Sequence, residues 1–300
     1  MITSFQQLFR EITIYGKQRI VIAGGEDPEA LKAVRASFEN GFGKAVLVGN
    51  KNKIEDSLME LGYQDRAFIE NIVSAREEEK AYIAIEEVKN GGILLKGKIN
   101  TASLMSAVLH KEKGLRTDDF ISNVFVFEDR REKQSRLILL SDGGINIKPD
   151  LKAMVAIIKN AVKVAHKLGI EKPKVALLAA VETVNPDMEE TLQASIITRM
   201  YQRGQIENCV IDGPLALDNA ISEFAAEKKG IDSPVAGKAD ILIVPNIACG
   251  NIFGKSIMYY TDFPEGNVVV GARVPIMIPS RADKSEGKLN SIALSILCSR

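Results

Sequence analysis

LKAMVAIIKNAVKVAHKLGIEKPKVALLAAV, residues 151–181, changes its period partway along, and that change decides the fold class. Leu151, Met154, Val155, Ile158, Ala161, Val162 and Ala165 recur at helical spacing and form one apolar stripe. Gly169 follows the stripe, where a left-handed residue commonly ends a helix. The run Lys174–Val181 (KVALLAAV) is then apolar at successive positions. Two apolar faces suit a strand covered by helices on both sides.

The same alternation extends outward in both directions. Short runs rich in β-branched residues occur at Arg19–Ala23, Lys44–Val48, Gly92–Leu95, Val124–Phe127 and Leu137–Leu140. Others lie at Cys209–Asp212, Ala239–Pro245, Asn267–Gly271 and Val274–Ile278. Asn185-Pro186-Asp187 predicts a helix start, with Pro186 placed where a missing N–H costs nothing, and Leu192, Ile196, Ile197 and Met200 carry the buried face onward. Strand–helix alternation of this kind implies an α/β fold with mainly parallel sheets. VFVFE and RLILLSD, joined by a charged link, read instead as an antiparallel pair.

Composition narrows the function. The chain has 300 residues, enough for a large core and, at about 150 residues per domain, for two domains. Lys plus Arg and Asp plus Glu balance at 39 each, without a dense basic run, which argues against nucleic acid as a partner. Local positive charge can still serve a small anion. Cys209, Cys249 and Cys298 stand far apart without a CxxC motif, as expected of a reducing compartment. Two histidines, His110 and His166, are too few for a His-rich metal site. The N-terminus does not read as a signal peptide, and no apolar run approaches the ~20 residues of a membrane span.

Three strand ends carry candidate chemistry. Asn246, Gly250, Asn251 and Lys255, within PNIACGNIFGKS after the strand ADILIVP, offer amides, close backbone approach and a cation. A loop of this kind beyond a strand's carboxyl end suits phosphate. It reads equally as a Gly/Asn turn entering a helix. In GARVPIMIPSRAD, a strand ends at Pro279 and releases Ser280, Arg281 and Asp283 together. A hydroxyl, a guanidinium and a carboxylate can orient a reacting group, stabilise an oxyanion and accept a proton. The alternative is N-capping by Ser280 or Asp283. Thr101 follows the strand GILL and enters a helix expected to end near Arg116; it either caps that helix or donates to phosphate. GxxxxGK[ST], GxGxxG, GxSxG and HExxH are all absent, which weighs against a kinase, a dinucleotide dehydrogenase, a serine hydrolase and a zinc protease.

Four stretches taken together resemble the phosphate acetyltransferase/phosphate butyryltransferase family: LKGKINTASLMSAVLHKEKGLR, DGPLALDNAIS, PNIACGNIFGKS and GARVPIMIPSRADKSEGKLNSIA. The likeness runs from about residue 90 to the C-terminus. The SRAD ending is more similar to the butyryltransferase branch. The resemblance implies a two-domain α/β/α sandwich related to the isocitrate/isopropylmalate dehydrogenases, with the active site in the interdomain cleft. With the pattern change near residue 140, the expected domains are 1–140 plus 275–300, and 141–274.

The resemblance further implies a cytoplasmic homodimer or larger homo-oligomer. Its reaction exchanges a short acyl group between coenzyme A and inorganic phosphate, with coenzyme A as substrate, no cofactor and no metal. Ser280 and Arg281 are expected near the CoA thiol. The family's base is an Asp whose place here falls near Gly287, so Asp283 or Glu286 is the expected substitute. Thr101, Arg116, Asn246, Gly250, Asn251, Lys255 and Arg273 are expected to hold phosphate or acyl phosphate. Acetyl or branched-chain transfer is the alternative within the class. A metal- and NAD-dependent dehydrogenase on a related fold is the alternative outside it.

Overall fold

The structure, a computed structural model, describes residues 1–132, 134–280 and 283–299. In chain order its strands are β1 (Gln18–Ala23), β2 (Gly43–Gly49), β3 (Ile69–Ser74), β4 (Ile93–Lys96), β5 (Ser122–Asp129) and β6 (Arg136–Ser141), followed by β7 (Lys174–Leu178), β8 (Val210–Leu215), β9 (Ile241–Ile243), β10 (Glu265–Val270) and β11 (Ile276–Met277). The helices are α1 (Phe5–Ile12), α2 (Pro28–Glu39), α3 (Lys51–Glu60), α4 (Lys80–Lys89), α5 (Thr101–Val108) and α6 (Leu151–Lys167), then α7 (Glu189–Gln202), α8 (Leu217–Ile221), α9 (Glu223–Lys228), α10 (Ile247–Tyr260) and α11 (Ser285–Cys298).

Contacts divide the chain into two compact units. One, the flanking unit, is Phe5–Asp119 with Pro264–Arg300; the other, the central unit, is Phe120–Phe263 with Met1–Ser4. The divisions fall at 119/120 and 263/264, where the sequence pattern places them near 140 and 274. The pairing gives the reason. β5 and β6 form an antiparallel pair, and β6 runs parallel to β9, with Leu139 beside Ile241. Residues 120–140 therefore belong with the strands that follow them. β10 pairs with β11, which lies parallel to β4, so the chain has already returned to the flanking unit by residue 265.

In the flanking unit the strand order is β3-β2-β1-β4-β11-β10, parallel except for β10. In the central unit it is β5-β6-β9-β7-β8, parallel except for β5. Ile20, Val21, Ile22, Leu94 and Leu95 are fully buried, as runs with two apolar faces require. In the central unit Phe127, Ile138, Leu140, Ala176, Leu242 and Val244 share one core. Each large apolar side chain so buried contributes about 1.5–3 kcal/mol relative to exposure.

At several strand-to-helix junctions the helix starts on an Asx cap. Asp27 accepts from the Ala30 N–H, Asn50 from Lys53, Asn100 from Ala102, Asp150 from Ala153 and Asn246 from Cys249.

Three local expectations shift. α7 begins at Glu189, not at Pro186, because Asn185 folds a turn in which its side chain accepts from Asp187 N and its carbonyl accepts from the Thr191 hydroxyl. α5 ends at Val108, well before Arg116: Leu115 N–H donates to the Val108 carbonyl, turning the chain back over the helix end. β3 (IENIVS) is half-exposed and carries no apolar run; its pairing with β2 makes it a strand.

Candidate active site

In the central unit the parallel strands β6 and β9 deliver two loops to their shared carboxyl edge. Asp142 leaves β6 buried. Its carboxylate accepts from Gly144 N at 2.8 Å, Ile145 N at 3.0 Å, Asn123 N at 3.1 Å and the Asn146 amide at 2.7 Å. These bonds hold residues 142–146 as a fixed turn against the start of α10. There Asn246 caps the helix through Cys249 N at 3.1 Å, and Asn251 donates to the Gly143 carbonyl at 3.5 Å. Lys255, one turn further on, is exposed.

Asn246 thus caps α10, Asn251 stands in its first half and Lys255 just past its midpoint, on the helix that starts at the edge where open α/β sheets bind ligands. Gly250 is buried, and a Cβ there would lie 2.6 Å from Gly143 Cα, so its bare backbone is what lets the 142–146 turn approach.

In the flanking unit, β4 and β11 run parallel, with Leu95 beside Met277. Thr101, in the first turn of α5, and Ser280 therefore leave the same edge. Both are exposed. Asn100 caps α5, so Thr101 keeps its hydroxyl free of the capping role. Ser280 and Asp283 are tied to each other: Ser280 N–H donates to the Asp283 carboxylate at 2.6 Å, and Asp283 N–H to the Ser280 carbonyl at 3.2 Å. Neither caps α11, whose N-cap is Lys284. Glu286 lies exposed in its first turn, and Arg281 lies outside the described residues.

Arg116 and Arg273 belong elsewhere in this unit. Ala272 bridges Arg116, and Arg273 N–H donates to the Leu115 carbonyl at 2.9 Å. Both arginines stand before β11, at the edge where the parallel strands begin. From Arg273 to Ser280 an extended chain spans up to about 23 Å. The structure brings the two arginines to each other and not to Ser280 or Thr101.

Two groups at the Ser280 edge escape sequence reading. Glu265 opens β10, which runs antiparallel to β11 with Val269 beside Ile276, so its start faces the end of β11. Burial above all, then the nearby Asp283 and Glu286 carboxylates, pushes the Glu265 carboxyl up to about 7, against a lowering by Lys288. The buried Lys288 ammonium donates to the Asp283 carbonyl at 2.6 Å. In sequence, Glu265 in FPEGN is a charge before a strand and Lys288 a charge in a helix; only packing sets them apart. Asp142 had a weak signal, the SDGG that follows the strand RLILL.

The model of the phosphate acetyl/butaryl transferase family matches residues 4–296. A phosphate butyryltransferase from Clostridium acetobutylicum is 44% identical over 99% of this chain and 98% of its own. A phosphate acetyltransferase from Thermotoga maritima is 40% identical over 93% of this chain and 94% of its own. The crystal structure of a branched-chain phosphotransacylase from Enterococcus faecalis aligns with a TM-score of 0.84 at 31% identity, covering 94% of this chain and 99% of that one. A chain of this architecture, with polar loops at the carboxyl edges of its strands, is thus an acyltransferase. It belongs to the phosphate acetyl/butaryl transferase family.

Proposed function

We propose that the protein is a phosphate butyryltransferase, catalysing butanoyl-CoA + phosphate ⇌ butanoyl phosphate + CoA. The observation that carries this reading is near-full-length identity of 44% to a phosphate butyryltransferase, with 41% and 40% to two more so named, one of them qualified as probable. In the direction that forms butanoyl-CoA, the thiolate of CoA attacks the carbonyl of the acyl phosphate. Ser280 positions the sulfur and Arg281 stabilises the developing oxyanion. Thr101, Asn246, Asn251 and Lys255 hold phosphate oxygens. CoA is a substrate, and no cofactor takes part. A cytoplasmic setting and a homodimer or larger homo-oligomer complete the reading.

Acetyl and branched-chain relatives make acyl length the open competitor. One methylene in an apolar pocket is worth only about 1–3 kcal/mol, so neighbouring chain lengths will be accepted to a graded extent. The test is release of free thiol from butanoyl-CoA, measured with and without phosphate, alongside acetyl-, propionyl- and isobutanoyl-CoA. Strictly phosphate-dependent release, fastest with butanoyl-CoA, is expected. A higher kcat/KM for acetyl-CoA overturns the butyryl assignment, and release independent of phosphate overturns the reaction.

A further inference from the structure

Gly287 lies in the first turn of α11 and is buried. A Cβ built on it would fall well inside contact distance of Oε1 of Glu265. The Glu265 carboxylate therefore occupies the space where any side chain at position 287 would begin. It sits against the start of α11, whose first-turn N–H groups favour an anion. It comes from the end of β10 that faces the end of β11, and β11 is the strand that delivers Ser280.

The other carboxylates at this edge are less suited to take up a proton: Glu29 already accepts the Ser285 N–H at 3.0 Å, and its bond with Lys32 holds its carboxyl below the ordinary range. Asp283 is buried and its carboxylate already accepts the Ser280 N–H, tying the loop together. Glu286 is exposed. No donor among the described residues bonds the Glu265 carboxylate, while its backbone carbonyl accepts from the Asn290 amide, which fixes the start of the strand. Among the described residues, the charged groups acting on it are Asp283, Glu286 and Lys288.

We propose that Glu265 is the residue that exchanges a proton with the CoA thiol. This rests on the phosphate acyltransfer reading above. In the direction that forms acyl-CoA, the S–H bond breaks and its proton passes to the Glu265 carboxylate. The sulfur lone pair forms the C–S bond, the bond from the carbonyl carbon to the bridging phosphate oxygen breaks, and inorganic phosphate leaves with that electron pair and takes up a proton from water, while the Glu265 carboxylic acid returns its proton to water. In reverse, phosphate attacks the thioester, the C–S bond breaks, and the departing thiolate takes the proton from the Glu265 carboxylic acid. A carboxyl raised to about 7 can serve in both directions near neutral pH, because neither protonation state is rare.

The experiment uses full-length wild type, Glu265→Gln, Gly287→Ala and the double variant. Both directions are followed: phosphate-dependent thiol release from butanoyl-CoA, and CoA consumption with butanoyl phosphate. In the CoA-consuming direction, kcat of the wild type is expected to rise with pH through about 7. Glu265→Gln is expected to lose about 100-fold or more in kcat with KM for CoA changed less than about threefold, and to lose that limb of the profile.

Gly287→Ala meets only the flexible end of the Glu265 side chain, so it should fold normally while displacing the carboxylate. Its kcat should fall, and it should add nothing in the Glu265→Gln background. A Glu265→Gln enzyme with wild-type kcat and an unchanged pH profile overturns the assignment. So does an effect confined to KM, or equal additional loss from Gly287→Ala in both backgrounds. If wild type itself releases no thiol with phosphate, the acyltransfer reading falls and this inference falls with it. Wild-type turnover with an insensitive Glu265→Gln sinks this inference alone.

Discussion

Gly143 and Gly250 lie back to back: a Cβ on Gly250 would stand 2.6 Å from the Gly143 Cα, and one on Gly143 would stand 2.8 Å from the Gly250 carbonyl carbon. The contact is backbone against backbone, so it has no rotamer through which to relax. Gly250→Ala is expected to destabilise the protein by about 1–3 kcal/mol and to push the 142–146 turn away from α10. Denaturant unfolding measures the first effect. A rise in KM for phosphate exceeding any change in KM for CoA checks the second, because Asn251 then loses the Gly143 carbonyl that orients it.

Asp142 binds four donors and is buried. Asp142→Ala strips acceptors from buried N–H groups that cost about 1–3 kcal/mol each to leave unpaired. A loss of roughly 3 kcal/mol or more is expected. Asp142→Asn keeps one acceptor oxygen but turns an NH2 toward other donors, so its loss should be intermediate. Equal stability of Asp142→Ala and wild type in urea would contradict this account of the turn.

A second buried charge lies in the flanking unit. Lys80 pairs with Glu26, both almost wholly buried, and with the exposed Glu77 at 2.6 Å. Burial opposes the Lys80 charge, but the Glu26 and Glu77 partners outweigh it and hold its pKa above the ordinary 10.5. The Lys80 contribution is therefore fully present at neutral pH and is lost as pH rises through that folded value. Glu26→Gln leaves the ammonium with Glu77 alone and is expected to cost about 3–5 kcal/mol. Adding Lys80→Met should recover part of it, since removing both charges also removes their desolvation cost. Melting temperatures of the single and double variants decide this.

Glu265 gives stability a pH dependence of the same sign in a lower window. Its folded pKa, about 7, lies above the ordinary 4.5, so the folded state favours the protonated form. Its contribution is fully present below 4.5 and is lost as pH rises through 7. Glu265→Gln should match wild type in denaturant midpoint at pH 4 and exceed it at pH 8, by at most about 3 kcal/mol. A constant difference between the two across that range would rule out the raised carboxyl.

Arg281→Ala should lower kcat about 100- to 1000-fold while leaving the circular dichroism spectrum and melting temperature near wild type. Near-normal turnover would remove Arg281 from the oxyanion role.

The α/β class was legible because two-faced apolar runs such as RIVIA and KVALL can be satisfied only beneath helices. The positions of α6 and of the start of α5 were legible because an apolar stripe and a polar cap are local signals, set by spacing along the chain. Ser280, Thr101 and Asn246 were legible for the same reason, since each follows a strand. Pairing across long sequence separations is not local. It moved residues 120–140 into the central unit, made IENIVS a strand, and placed Arg116 and Arg273 at the edge away from Ser280. Burial is likewise a property of the packed chain. Glu265 and Glu286 are alike as letters in a sequence, and the tertiary structure alone encloses one beside Gly287 and leaves the other in water.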